Sequence, residues 1–113
     1  MHELAITEGV IKVVKAEAEK QGFERVLEIS LKVGEFSGII PDCIREFFPL
    51  AAKDSPAEGA ALRIETVRAE FECSDCGYKG VADRQKHCCS VCGGYNLKMT
   101  SGREFFVESL KVE

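Results

Sequence analysis

The 113-residue sequence has no excess of basic charge. Fifteen Lys and Arg stand against 19 Asp and Glu, giving a formal net charge of −4 and a pI near 5.3. Phosphate recognition needs a basic surface, so this balance argues against a nucleic-acid partner. It also offers nothing to an anionic membrane. No apolar run approaches the roughly 20 residues of a membrane-spanning helix. The first residues lack the charged-then-apolar pattern of a secretory signal. These absences place the chain, as an expectation, in the cytoplasm. Reducing conditions there keep thiols free, so the six cysteines favour metal binding over disulfides.

The hydrophobic pattern predicts one small α/β domain with an appendage. Residues 3–21 read as an amphipathic helix. Leu4, Ile11, Val14 and Ala18 form one stripe, with Ile6, Val10 and Val13 beside it. Gly22 suits the position just past the helix end. In VLEISLKVG, Leu27, Ile29, Leu31 and Val33 alternate with polar residues, the period of a strand with one buried face. A second helix is expected from Pro41, with Ile44, Phe47, Phe48 and Ala51 at helical spacing. Pro49 predicts a kink or an early end there, because it lacks an N–H and clashes with the preceding turn. Lone Cys43 on this helix reads as a packing residue. Leu62–Phe71 reads as a strand whose buried face changes near residue 66, the sign of a bulge or of a strand leaving its sheet. REFFVESLKV predicts a last strand with Phe106, Leu110 and Val112 on one face.

Between those two strands the chain is short of large apolar residues. From Cys73 to Cys92 the only appreciably apolar non-cysteine side chains are Tyr78, Val81, Ala82 and Val91. They are too few to offset an ordering cost of about 1–2 kcal/mol per residue. Metal ligation can replace a core in such a segment. Cys73 and Cys76 form one C-x2-C pair and Cys89 and Cys92 another, each followed by a glycine, Gly77 or Gly93. Two such turns facing each other make a tetrahedral four-sulfur site suited to structural Zn(II). Disulfides, a redox CxxC and a rubredoxin-like iron site are the competing readings. Cys88 adjoins Cys89, and Cys88-x3-Cys92 is an alternative pairing; Cys89 restores the C-x2-C-G turn and leaves Cys88 a spare thiol. His87 reads as an exposed loop residue, or alternatively as a competing ligand that titrates near neutral pH.

The chain opens MHE, contains LKVGEFSGIIP, and continues through EGAALRIETV into the two CxxCG pairs. Over nearly its whole length this combination resembles the HypA/HybF family, nickel metallochaperones of [NiFe]-hydrogenase maturation. The family's knuckles often carry Pro after the first cysteine; here they read Cys-Ser-Asp-Cys and Cys-Ser-Val-Cys. The resemblance implies that Met1, His2 and Glu3 carry Ni(II), and that Cys73, Cys76, Cys89 and Cys92 hold structural Zn(II). It implies as partners a nickel-handling GTPase (HypB), the hydrogenase large-subunit precursor and, in some members, urease maturation proteins. It implies no catalysis.

Elementary coordination chemistry supports the N-terminal part of that reading. A histidine at position 2 offers the Met1 amine, the His2 backbone nitrogen and the His2 imidazole in fused chelate rings. The Glu3 backbone nitrogen or its carboxylate can fill the fourth corner. A planar nitrogen-rich set suits Ni(II) or Cu(II) rather than Zn(II). Retention of the initiator methionine is expected because a bulky histidine follows it.

Two other classes compete with a nickel carrier. One is a zinc-ribbon module for protein or nucleic acid, in which MHE is accidental; the acidic pI and sparse aromatics argue against its nucleic-acid form. The other is a small redox or metalloenzyme, for which no catalytic constellation stands out; Glu35, Asp42 and Asp54 read as ordinary loop or helix-start acids. The architecture expected is α/β (α+β), two helices packed on a three-stranded sheet with an inserted four-cysteine zinc-ribbon module. Residues 1–70 plus 99–113 would form a discontinuous nickel-binding domain, and 71–98 the zinc domain.

Overall fold

The structure, a computed structural model, describes residues 3–83 and 85–113. Helix α1 spans Glu3–Gln21 and buries Glu3, Thr7, Val10, Ile11 and Val14. Leu4 was expected on the buried stripe but is exposed, as is Val13 beside it. Thr7 takes the core-facing slot instead. Its hydroxyl donates to the Glu3 carbonyl at 2.6 Å, so a polar side chain satisfied within its own helix can be buried without a partner elsewhere. Gly22, at φ +79°, closes the helix by donating to Ala18 O at 2.8 Å.

Strand β1, Val26–Gly34, is central in a three-stranded sheet. It buries Val26, Ile29, Leu31 and Val33 but leaves Leu27 exposed, against the simple alternation. Its pairing with the C-terminal strand jumps between Val26 and Glu28. Leu27 is therefore the extra residue of a bulge, which turns it outward.

Helix α2, Pro41–Ala52, places Ile44, Phe48 and Ala52 in one buried row at four-residue spacing. The early end expected at Pro49 does not occur; three more helical residues follow. Pro49 lies on the exposed face, away from that row. The buried Ala52 extends the packed face beyond the proline, and Lys53 N closes the end on Leu50 O at 3.4 Å.

Strand β2, Ala61–Val67, runs parallel to β1, and α2 supplies the crossover that parallel neighbours require. The expected change of phase marks a real departure. β2 ends at Val67, and the chain enters a second sheet as β3, Glu70–Cys73. β3 pairs antiparallel with β4, Lys79–Gly80, and with β5, Leu97–Ser101, in the order β4-β3-β5. The chain then returns as β6, Phe105–Val112, antiparallel to β1, completing the order β2-β1-β6.

β6 turns Phe105, Val107 and Leu110 toward the core, whereas Phe106 and Val112 are exposed. Of the predicted face only Leu110 packs against the core; Val112, opposite Val26, is exposed at the strand end. Ser30 pairs with Ser109 and Leu31 with Val107, so Glu108 is an extra residue that shifts the alternation midway. Both helices cover one face of this sheet. Val10, Ile11 and Val14 meet Ile44 and Phe48 over Ile29 and Leu31. On the other face Lys32 bridges Glu65 at 2.7 Å and Glu108 at 3.3 Å.

The turn after β1 binds both strand crossings. Gly34 N donates to Glu104 O at 2.6 Å, Glu35 N to Val67 O at 2.8 Å and Phe36 N to Gly102 O at 2.7 Å. The Glu35 carboxylate accepts the Ala69 N–H at 2.8 Å. A Cβ on Gly34 would fall on the Gly102 carbonyl, and one on Gly102 would lie 2.7 Å from Ala69 Cα. The molecule is elongated, 53 × 27 × 17 Å.

Candidate metal centre

Each cysteine pair closes a turn of the same design. In the first, Gly77 N donates to Cys73 O at 2.9 Å and Cys73 N to Tyr78 O at 2.8 Å. In the second, Gly93 N donates to Cys89 O at 3.1 Å and Cys89 N to Gly94 O at 2.8 Å. Gly77 and Gly93 have φ of +78° and +75°, where a side chain would be strained. The repeated pattern explains why glycine follows each pair.

The two turns face each other. The sulfurs of Cys73, Cys76, Cys89 and Cys92 all lie within 4.8 Å of one another. Cys73 Sγ is 3.7 Å from Cys92 Sγ, and Cys76 Sγ is 3.6 Å from Cys89 Sγ. Those separations exceed the S–S bond of about 2.05 Å. A tetrahedral ion with metal–sulfur distances of about 2.3 Å would set its sulfurs about 3.8 Å apart. Cys73 and Cys89 are buried and Cys76 and Cys92 exposed, so each turn supplies one inner and one outer thiol.

The backbone also prepares the sulfurs. N–H groups of Cys92 and Val91 aimed at Cys89 hold its thiol down to about 6 against the opposing effect of burial. Val91 N lies 3.4 Å from that sulfur, and Gly94 N lies 3.4 Å from Cys92 Sγ. The Gly94 N–H draws the Cys92 thiol downward, yet the crowd of Cys73, Cys76 and Cys89 together with burial pushes it up to about 12. Four thiolates cannot share this space alone; a dication removes the conflict.

Cys88 is buried at 4% exposure, yet its sulfur is not in the cluster. Its carbonyl accepts the Asp83 N–H at 2.8 Å and closes the loop between the turns. Asp83 Oδ1 accepts from Lys86 N at 3.0 Å and Gln85 N at 2.9 Å, which draws the carboxyl below its ordinary range. His87 sits exposed in the same loop at φ +55° and does not join the four sulfurs. Cys43, half-buried on α2, is also apart. Among the described residues the four-cysteine group alone meets the geometry of a metal site.

Asp75 and Asn96 escaped the sequence reading. Asp75 lies inside the first turn, and its carboxylate reaches the second: a Cβ on Gly94 would lie 2.9 Å from Asp75 Oδ2 and 3.3 Å from Cys92 Sγ. Asn96 Nδ2 donates to Asp75 Oδ1 at 3.5 Å, and Ser74 N to Asn96 O at 3.0 Å. The second glycine of Cys-Gly-Gly was the available signal. Of the N-terminal trio, Met1 and His2 lie outside the described residues, and Glu3 is buried in the first turn of α1.

A family profile described as hydrogenase/urease nickel incorporation, metallochaperone, hypA matches residues 1–112. "Hydrogenase maturation factor HypA" of Dehalococcoides mccartyi is 35% identical over all of this chain and 95% of its own length. The protein of the same name from Geobacter metallireducens is 37% identical over the full length of both. The solution structure of the Ni metallochaperone HypA from Helicobacter pylori superposes with a TM-score of 0.71 at 24% identity, covering 99% of this chain and 97% of that one. A second solution structure, of HypA protein, gives a TM-score of 0.74 at 23% identity, with 100% and 97% covered. These two likenesses establish the fold.

Proposed function

We propose, from the premise that this chain belongs to the HypA family of nickel-incorporation metallochaperones, that it binds Ni(II) through Met1, His2 and Glu3 and delivers it to a [NiFe]-hydrogenase large-subunit precursor. The family fixes the coarser statement: a maturation factor for nickel incorporation, not a catalytic enzyme. The observation that carries the finer one is the MHE sequence itself. It assembles an amine, backbone nitrogens and an imidazole within three residues, a planar set suited to Ni(II). α1 begins at Glu3. The first N–H groups of a helix have no intrahelical acceptor, so the Glu3 nitrogen can lose its proton without breaking the ladder.

The second metal is structural Zn(II) at Cys73, Cys76, Cys89 and Cys92. The sulfur separations and the scarcity of apolar residues in the segment support zinc in place of a core. On this reading residues 1–70 with 99–113 handle nickel and residues 71–98 hold zinc. The partners would be HypB and the large-subunit precursor, with urease maturation proteins as a second destination, all in the cytoplasm. No helix among the described residues is long and apolar enough to cross a membrane.

The test is a Ni(II) titration of zinc-loaded protein with a native N-terminus, followed by calorimetry and visible absorption. The native chain should bind one nickel with a planar spectrum. His2→Ala, and a version extended before Met1, should both lose it. If all three bind alike, the site is elsewhere and a zinc-ribbon adaptor becomes the better account.

A further inference from the structure

The two edges of the β2-β1-β6 sheet differ. β6 is interrupted midway by the extra residue at Glu108, and such bulges blunt an edge against further pairing. β2 pairs with β1 along its whole length, Ala61–Val67, with no shift of register. Among the described residues no strand pairs with its outer side. Glu35 N donates to Val67 O on the inner side, so alternation turns the backbone groups of Leu62, Ile64 and Thr66 outward. Arg45 finds one of them, donating from α2 to Leu62 O at 3.0 Å.

The side chains of this edge complement themselves. Arg63 and Glu65 are exposed on the helix-free face, beside Lys32. Leu62 and Ile64 lie on the helix-covered face, only partly buried at the border of the core. When two such strands pair antiparallel, outward residues must oppose outward residues. With Ile64 opposite Ile64 of a second copy, each Arg63 lies opposite a Glu65 of the other chain. Slipping by two residues one way sets Arg63 against Arg63, and the other way sets Glu65 against Glu65. Like charges directly opposite are destabilising, so charge selects the register that uses all three outward residues. That register also covers Leu62 and Ile64. β2 leads at its C-terminal end into the second sheet, so antiparallel pairing sends the two four-cysteine halves to opposite ends, where they do not collide.

We infer that the outer edge of β2 is a self-association surface: a second copy of this chain pairs antiparallel with it, in the register that sets Arg63 opposite Glu65, and joins the two three-stranded sheets into one. Arg45 is the gate of this edge, because the Leu62 carbonyl it holds must pass to the Thr66 N–H of the second copy. The inference is independent of the nickel reading.

The experiment is sedimentation equilibrium of the zinc-loaded full chain at low salt over a range of concentrations, with circular dichroism to confirm that each variant is folded. The wild type should associate to a dimer, and salt should weaken it. Arg63→Glu alone, or Glu65→Arg alone, sets like charges opposite each other at two places and should weaken the dimer about tenfold. The double variant exchanges the two charges, restores both opposite pairs and should recover the wild-type association. Arg45→Ala frees the Leu62 carbonyl and should tighten it. If a single variant does not fold, the double variant and Arg45→Ala still decide. A wild type that stays monomeric at every concentration would overturn the inference and leave the edge to a strand of another protein. A dimer that neither single variant weakens, or that the double variant fails to recover, would place the contact elsewhere and overturn it as well.

Discussion

The two sheets meet the same ordering cost by different means. The β2-β1-β6 sheet is covered on one face by two helices and encloses Val10, Ile11, Val14, Val26, Ile29, Leu31, Ile44 and Phe48. The β4-β3-β5 sheet has no such layer among the described residues. From Glu70 to Ser101 the buried ones are Cys73, Cys88 and Cys89. One half is held by area removed from water, which acts diffusely and tolerates small changes. The other depends on four sulfurs converging on one point. The first should fail gradually and the second all at once.

The largest effect should therefore come from removing the metal. Structural zinc in small modules contributes about 10–16 kcal/mol of apparent binding energy at neutral pH. Chelation, or Cys89→Ser, should abolish hydrogen-exchange protection across β3, β4 and β5. Protection in β1 and the helices should persist. Uniform loss of protection would mean that the two halves are one cooperative unit. Next in size is Ile29→Ala, at a fully buried position of the central strand. It should cost about 2–5 kcal/mol in denaturant melts while leaving zinc affinity, measured by chelator competition, unchanged.

This contrast also governed what could be read in the sequence. The fold class, both helices and the departure from the first sheet were visible, because each follows from local periodicity or from glycine and proline chemistry. The spacing also singled out the four cysteines that converge, through the repeated C-x2-C-G turn. The failures fall where long-range pairing overrides local pattern. Leu27 and Phe106 point outward because bulges at Leu27 and Glu108 shift the alternation, and a bulge is a property of two strands together; Val112 pairs with the buried Val26 and is exposed at the end of its strand. Leu4 yields its place to Thr7, whose burial depends on a hydrogen bond that no hydropathy pattern registers. Of the two outcomes expected at Pro49, the early end does not occur, and the helix runs on to a buried Ala52. Asp75 was missed because its partner Asn96 lies 21 residues on.

A third perturbation tests the seam between the halves. Gly34→Ala would drive a Cβ onto the Gly102 carbonyl and within 2.8 Å of Arg103 N. Backbone atoms cannot yield as a flexible side chain can, so the expected cost is about 1–3 kcal/mol. Its signature should be amide shifts in both sheets, at Glu104 on one side and Ala69 on the other, because the turn at Gly34 hydrogen-bonds both crossings. Shifts confined to one sheet would show that the seam transmits nothing.

The smallest effect concerns acid, and it separates the halves by sign and cause. Lys32 bonds Glu65 and then Glu108, which raises its own pKa above 10.5 despite partial burial, and it holds Glu65 below 4.5. A depressed carboxyl stabilises the fold above its ordinary value and loses that contribution as pH falls through its lowered one. The raised lysine stabilises below 10.5 and loses its contribution as pH rises through its raised value. Lys32→Met should thus be slightly less stable than wild type at pH 7 in low salt, and should converge with it as pH falls through the lowered Glu65 value or in high salt. A deficit that persists unchanged in acid and in high salt, by urea midpoint, would show that the ion pairs are not its cause. The metal half should respond to acid through another group and far more strongly. Cys89, held down to about 6 by the Cys92 and Val91 amides, is the thiol most readily ionised for metal at neutral pH. As pH falls through that value the metal-free cluster loses its first thiolate, and zinc capture should slow. Cys89→Ser should slow capture at pH 7 more than Cys92→Ser, whose parent thiol is pushed up to about 12 and starts protonated. Equal slowing by both would mean that the amides around Cys89 shape the turn but do not set the order in which the sulfurs engage.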